Sequence, residues 1–193
     1  MRIHIELTGK TPLMMHNERL SDPDNEFTKQ IKEITDKGTN QTEADKVLLS
    51  KLEWRGGIYA NNDGEVVIPS PNMIRCLREA AAVTKEGRKI ARGLNPYELM
   101  MPLMTGCSRR VDDLSKDPAF ADKRQVKVGR GRIKRTRPIF PRWAVAGDFE
   151  LLEDVLSFAA LVNIVDLAGR AVGLCDARIL GYGRFEAKLT KGK

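Results

Sequence analysis

The stretch from Leu152 to Gly169, LEDVLSFAALVNIVDLAG, is the segment around which any fold of this chain must be built. It has helical length and is apolar on nearly all sides, which predicts a helix laid deep against a sheet. Its apolar run, Val155 to Leu167, is too short to span a bilayer and is interrupted by Asn163 and Asp166. Such a helix needs strands with one apolar face. The opening residues supply the first: Ile3, Ile5 and Leu7 alternate with His4 and Glu6, a half-buried strand over residues 2–8 that Pro12 ends. Trp143 to Leu151 fits a second strand. After Gly169 and Gly173, the stretch Arg178 to Glu186 leads into a final strand ending near Leu189.

The remaining punctuation is local. Asn17 to Asn25 is turn-rich and reads as a loop. Phe27, Ile31 and Ile34 share a stripe that predicts a short helix over 27–37, stopped by Gly38. Thr42-Glu43-Ala44-Asp45 resembles a capping box opening a second helix, which runs to Trp54 and is broken by Gly56-Gly57. This helical pair is polar on most faces and reads as an insertion, about residues 17–56. Asn61-Asn62-Asp63-Gly64 is a turn between short strands Ile58–Ala60 and Glu65–Ile68. Ser70 as N-cap with Pro71 at the first helical position starts a helix reaching about Thr84. Residues 85–122 carry little periodicity. The methionines of their ELMMPLM stretch suit core filling better than a flexible contact surface.

Reduced to order, the core is strand, helix, strand pair, helix, strand: an α+β chain of the ferredoxin-like (RRM-type) βαββαβ plan, with an antiparallel sheet. We read residues 1–193 as a single domain with the helical insertion and a second insertion over about 85–142.

That second insertion ends in a run of unusual charge. Nine of the twenty residues from Lys123 to Arg142 are lysine or arginine and none is acidic. The whole chain carries only +7, so the other 173 residues sum to about −2. Val126, Val128, Ile133 and Ile139 lie among the charges, the pattern of a β-ribbon or arm with one apolar edge. Lys127, Arg130, Arg132, Lys134, Arg135, Arg137 and Arg142 are the candidate phosphate contacts. A solvated basic arm without a partner is the bland alternative. A pI near 9.4 also points to an acidic partner. Only 6% of residues are aromatic, few for a protein that binds mainly by base stacking.

Three dispersed cysteines and two histidines make neither a disulfide framework nor a zinc pattern, and no cofactor is expected. The opening lacks the apolar block of a signal peptide, so a reducing cytoplasm is the expected location, with no membrane partner.

Three stretches carry a resemblance. Thr11-Pro12-Leu13-Met14-Met15-His16 follows the first strand; VIPSPNMIRCLREA spans Val67 to Ala80; GLCDARILGYGRF spans Gly173 to Phe185. In that order they resemble the "TPLHIG", "IPGSSxKGxLR" and glycine-rich-loop elements of the RAMP superfamily of CRISPR-associated proteins. The nearest plan is that of the backbone subunits of CRISPR effector complexes; a phage or mobile-element relative would look the same. Ser70 stands where the superfamily usually has glycine, Ile74 where lysine is frequent and Arg75 where glycine is common, and Cys175-Asp176 interrupts the glycine-rich loop.

The resemblance implies a nucleic-acid path over the glycine-rich loop. Arg178, Gly181, Tyr182, Gly183 and Arg184 lie there; Ser70, Arg75 and Arg78 lie at the helix start, and His16 follows the first strand. Ser70 serves equally well as an ordinary cap. For Phe140 and Trp143, core packing is favoured over base stacking. The function it implies is a protein that binds single-stranded RNA or DNA and assembles side by side into a filament-like oligomer. With no paired carboxylates at helical spacing, no Walker motif and no nucleophile–base arrangement in the sequence, it is expected to be non-catalytic. Other effector-complex subunits are possible partners, in a prokaryotic cell or a phage-infected host. The alternatives are a metal-independent endoribonuclease, for which His16 is the only candidate histidine, and a phage factor that mimics or blocks an effector complex.

Overall fold

The structure is a computed structural model describing residues 1–128 and 131–192. Its central sheet is antiparallel. Strand β1 (Arg2–Gly9) lies between β8 (Ala144–Leu151) and β9 (Phe185–Lys191). Beyond β8 come β4 (Leu94–Pro96) and β5 (Met100–Met104), which pair with its two ends, and then β3 (Val67–Pro69). Counting β4 and β5 as one interrupted strand, the core order is fourth, first, third, second. That is the ferredoxin-like arrangement.

Alternation fixes which face of β1 is buried. Ile3, Ile5 and Leu7 are essentially inaccessible, and Val145, Phe149 and Leu151 of β8 join them. Helix α3 (Ser70–Ala81) lays Met73, Cys76, Leu77 and Ala80 onto this face, and α6 (Phe158–Leu167) adds Leu161, Ile164 and Val165. Burying each large apolar side chain contributes about 1.5–3 kcal/mol.

Several sequence expectations change here. The segment 152–169 is not helical throughout: Ser157 caps α6 through its Oγ, and a wider π-type turn takes over at Ala168. Nor is α6 buried all round, since Val162 remains 37% exposed. Helix α2 (Glu43–Gly57) has the predicted capping box but continues through both glycines. A Cβ on Gly56 would lie 2.5 Å from Leu20 Cδ2, so the glycine permits close packing rather than ending the helix. The insertion is less polar than it reads, because Trp54 is buried and donates its indole N–H to Phe120 O at 2.7 Å.

The start of α3 also differs. Pro69, not Ser70, occupies the cap position; Ser70 is fully buried, its N–H goes to Leu99 O, and its Oγ has no hydrogen-bond partner in the protein. The unreadable region 85–122 holds α4 (Gly87–Gly93), the interrupted second core strand and α5 (Val111–Leu114). Met101 and Leu103 are core, whereas Met100 and Met104 are about half exposed, so the methionine stretch both fills the core and faces outward. Among the described residues no helix is long and apolar enough to cross a membrane.

A second, three-stranded sheet joins β2 (Leu13–Met14) to β7 (Gly131–Phe140) and β6 (Ala121–Val128). The antiparallel β6–β7 ribbon is the basic segment. Helix α1 (Glu26–Thr35), capped by Asn25, packs on α2.

Candidate nucleic-acid interface

The register of the ribbon sorts its cations. Cross-strand partners share a face, so Asp122 with Arg137, Arg124 with Arg135 and Val126 with Ile133 lie on one side. Lys123 with Thr136, Gln125 with Lys134 and Lys127 with Arg132 lie on the other.

The first face is tied down by carboxylates of the same chain. Arg124 donates from Nε to Asp122 at 2.5 Å and from Nη2 to the Tyr182 hydroxyl at 2.5 Å. Those two partners raise the Arg124 pKa further. Arg135 pairs with buried Glu53 at 2.6 Å, and Arg137 lies 3.2 Å from Asp176. Arg135 and Arg137, expected to project toward phosphates, are therefore held inward.

The second face is different. At its root Thr136 is buried, its Oγ1 2.9 Å from Ser50 Oγ. Lys123, opposite Thr136, and Lys134 and Arg132 farther out are exposed, and among the described residues none has a carboxylate within 4 Å. Arg142, at the end of the ribbon, is likewise exposed. Arg130 lies outside the described residues, as does the side chain of Lys127. Lys123 was not among the sequence candidates; strand parity counted through the hairpin would have found it.

Glu53 has a second role. Its Oε2 accepts the Thr136 N–H at 2.8 Å, closing the edge of β7 that β2 is too short to cover. Glu53→Ala strands that N–H and the Arg135 guanidinium together. We expect a loss of about 2–3 kcal/mol in urea unfolding, with Glu53→Gln costing less because one acceptor survives. Equal, negligible losses in both would show that the carboxylate does not hold the ribbon.

The glycine-rich loop is bound to the Thr11–Met14 segment. Thr11 Oγ1 donates to Gly181 O at 2.8 Å and accepts from Arg184 N at 2.9 Å, while Gly183 N reaches Pro12 O and Asp176 N reaches Met14 O. Two sequence elements more than 160 residues apart thus form one unit, with Thr11 as a clip that sequence reasoning missed. The glycines do not all face outward. A Cβ on Gly183 would lie 2.1 Å from Leu174 O, so Gly183 admits the chain's own backbone; around Gly181 there is open space.

Arg178 forks onto Glu79 of α3, at 2.6 and 3.1 Å, and Arg75 meets the same carboxylate at 3.2 Å. Burial opposes the Arg178 charge, but Glu79 outweighs it and the pKa ends raised. Arg184 donates to Arg178 O at 3.3 Å, and its buried Nη1 has no partner in the protein. Arg78 is exposed. Beside these, Ile179 is fully exposed and Leu180 largely so. Ser70 is inaccessible, and Phe140 and Trp143 are core residues; of the three candidate aromatics, Tyr182, half-buried under the Arg124 guanidinium, stays at this surface.

His16 lines a cleft between the helical pair and the tied face of the ribbon, with Arg135 and Arg137. Burial of its ring pulls the pKa below 6.5 although the residue keeps solvent access; Asp176 works against this, and Arg137 and Arg135 reinforce it. The unfolded chain therefore binds this proton first. The stability linked to His16 is complete above pH 6.5 and is lost as pH falls from there toward the folded-state pKa. Between about pH 7.5 and 5.5 the melting temperature should fall more steeply in the wild type than in His16→Gln. Parallel curves would refute this.

No family model matches the sequence, and no curated protein matches it. Among solved structures, the chain is similar to a chain in the cryo-EM structure of the Type III-B Cmr-beta bound to cognate target RNA, with a TM-score of 0.52 and 11% identity. The match covers 98% of this chain and 60% of that one, so this chain spans about three-fifths of the length of its neighbour. At this identity the likeness shows a shared fold alone.

Proposed function

We propose that the chain is a non-catalytic single-stranded nucleic-acid-binding protein that assembles side by side along the strand, in the manner of a CRISPR effector backbone subunit. The observation that carries this is the sorting of the ribbon's cations. One face spends its arginines on internal carboxylates and so holds the ribbon in place, leaving Lys123, Arg132 and Lys134 presented together on the other. Cations presented without internal partners are available to phosphates, and such contacts provide affinity without sequence preference. The RNA in the Type III-B neighbour favours RNA over DNA.

Light scattering after size exclusion tests this with fifteen-, thirty- and sixty-nucleotide strands of RNA and DNA. Bound mass should rise by whole protomers with strand length, more readily on RNA. A chain that stays a free monomer with every strand refutes the proposal. Recovered RNA should be intact; cleavage abolished by His16→Ala would overturn the non-catalytic assignment in favour of a ribonuclease.

A further inference from the structure

The cleft beside His16 has a volume of about 460 Å³, a size typical of small-ligand sites, and its chemistry is mixed in an informative way. From α1, the residues Thr28, Ile31, Lys32 and Thr35 line it at helical spacing, so they form one continuous stripe. Leu20 extends the apolar part of that wall, and Val126 supplies an apolar contact from the ribbon. Three cations, Lys32, Arg135 and Arg137, stand against one carboxylate, Glu53, which Arg135 already engages. Arg137 Nη1 lies 3.2 Å from Asp176 Oδ2 and donates to Met14 Sδ at 3.8 Å, while its buried Nε, like Asp176 Oδ2, has no hydrogen-bond partner in the protein.

An apolar slot rimmed by cations and hydroxyls suits a flat heterocycle carrying a phosphate. We infer that this cleft binds one nucleotide, its base against Leu20, Ile31 and Val126 and its phosphate at Lys32 and Arg137. The cleft's ribbon contacts Val126, Arg135 and Arg137 lie on the face opposite Lys123, Arg132 and Lys134, although Thr136, the cross-strand partner of Lys123, also lines the cleft. With the nucleotide turned out of the bound strand, the inference deepens the strand-binding reading and rests on it; a nucleotide taken up free is the other source for the same cleft.

Isothermal titration of the full chain separates these cases. AMP and UMP should bind at one per chain. Ile31→Trp, which fills the slot at a half-buried position, and Lys32→Glu, at an exposed one, should each weaken that binding at least tenfold. Melting temperatures confirm that both variants fold. A strand source also predicts that a thirty-mer with bases binds several-fold tighter than an abasic thirty-mer, and that Ile31→Trp abolishes this preference. A free-nucleotide source predicts monophosphate binding with no such preference. If the thirty-mer binds while monophosphates do not, and Ile31→Trp leaves the base preference unchanged, the cleft assignment is overturned and strand binding stands. A wild-type chain that binds neither the thirty-mer nor a monophosphate overturns both readings, and one that binds monophosphates but no thirty-mer overturns the strand reading alone.

Discussion

Changing Lys123, Arg132 and Lys134 together to glutamate is expected to weaken binding of a single-stranded thirty-mer by about 100-fold, at roughly 1 kcal/mol per lost phosphate contact. The salt dependence should flatten as well. Each single-strand phosphate contact contributes about 0.7 to the slope of log affinity against log salt, so three lost contacts remove about two units. All three residues are exposed, and none pairs with a carboxylate among the described residues, so the variant should keep the wild-type melting temperature. The contrast is Arg124→Gln. Arg124 is spent on Asp122 and Tyr182, so its loss should affect the ribbon's anchoring more than the salt slope. Titration by fluorescence anisotropy at several salt concentrations reads both quantities. An unchanged slope in the triple variant would remove the free face from the binding surface.

The second large effect separates two glycines of the same loop. Gly183 has φ of +70° and its added Cβ would meet Leu174 O at 2.1 Å; Gly181 has φ of +88° with no atom within 4 Å. Alanine at Gly181 should therefore cost about 1–2 kcal/mol, the left-handed strain alone. At Gly183 the same strain is joined by a clash with main chain that no side-chain rotation relieves. We expect more than about 3 kcal/mol and a fall in melting temperature of roughly 6–12 °C for a chain of this size. Gly183→Ala should also loosen the Thr11 clip, since Gly183 N–H and Arg184 N–H bond to Pro12 O and Thr11 Oγ1. Equal losses at both positions would mean that the loop is not closed on itself as described.

Much of the fold was readable because the relevant forces are local. Alternation in residues 2–8 and 144–151, the Thr42 capping box and the turn at Asn61–Gly64 all depend on neighbours within a few positions. Where reading failed, distant residues decided the outcome. Leu94–Pro96 and Met100–Met104 have little strand character of their own and become strands by pairing with β8. Ser70 has the composition of a cap, yet Leu99 O takes its N–H and the core encloses its side chain. At the candidate site the basic segment was conspicuous, but the partition of its cations was not. Glu53 lies 82 residues from Arg135, and nothing in either local sequence announces the pair.

Sequence alone determined the first, third and last strands of the core, the two helices packed on them, and the concentration of positive charge between Lys123 and Arg142, since period and composition are properties of neighbouring residues. Tertiary structure alone decided which of those charges are cancelled and which are offered. Carboxylates from α2 and the glycine-rich loop reach the ribbon only after the chain has closed on itself, and their approach to one face leaves the other free.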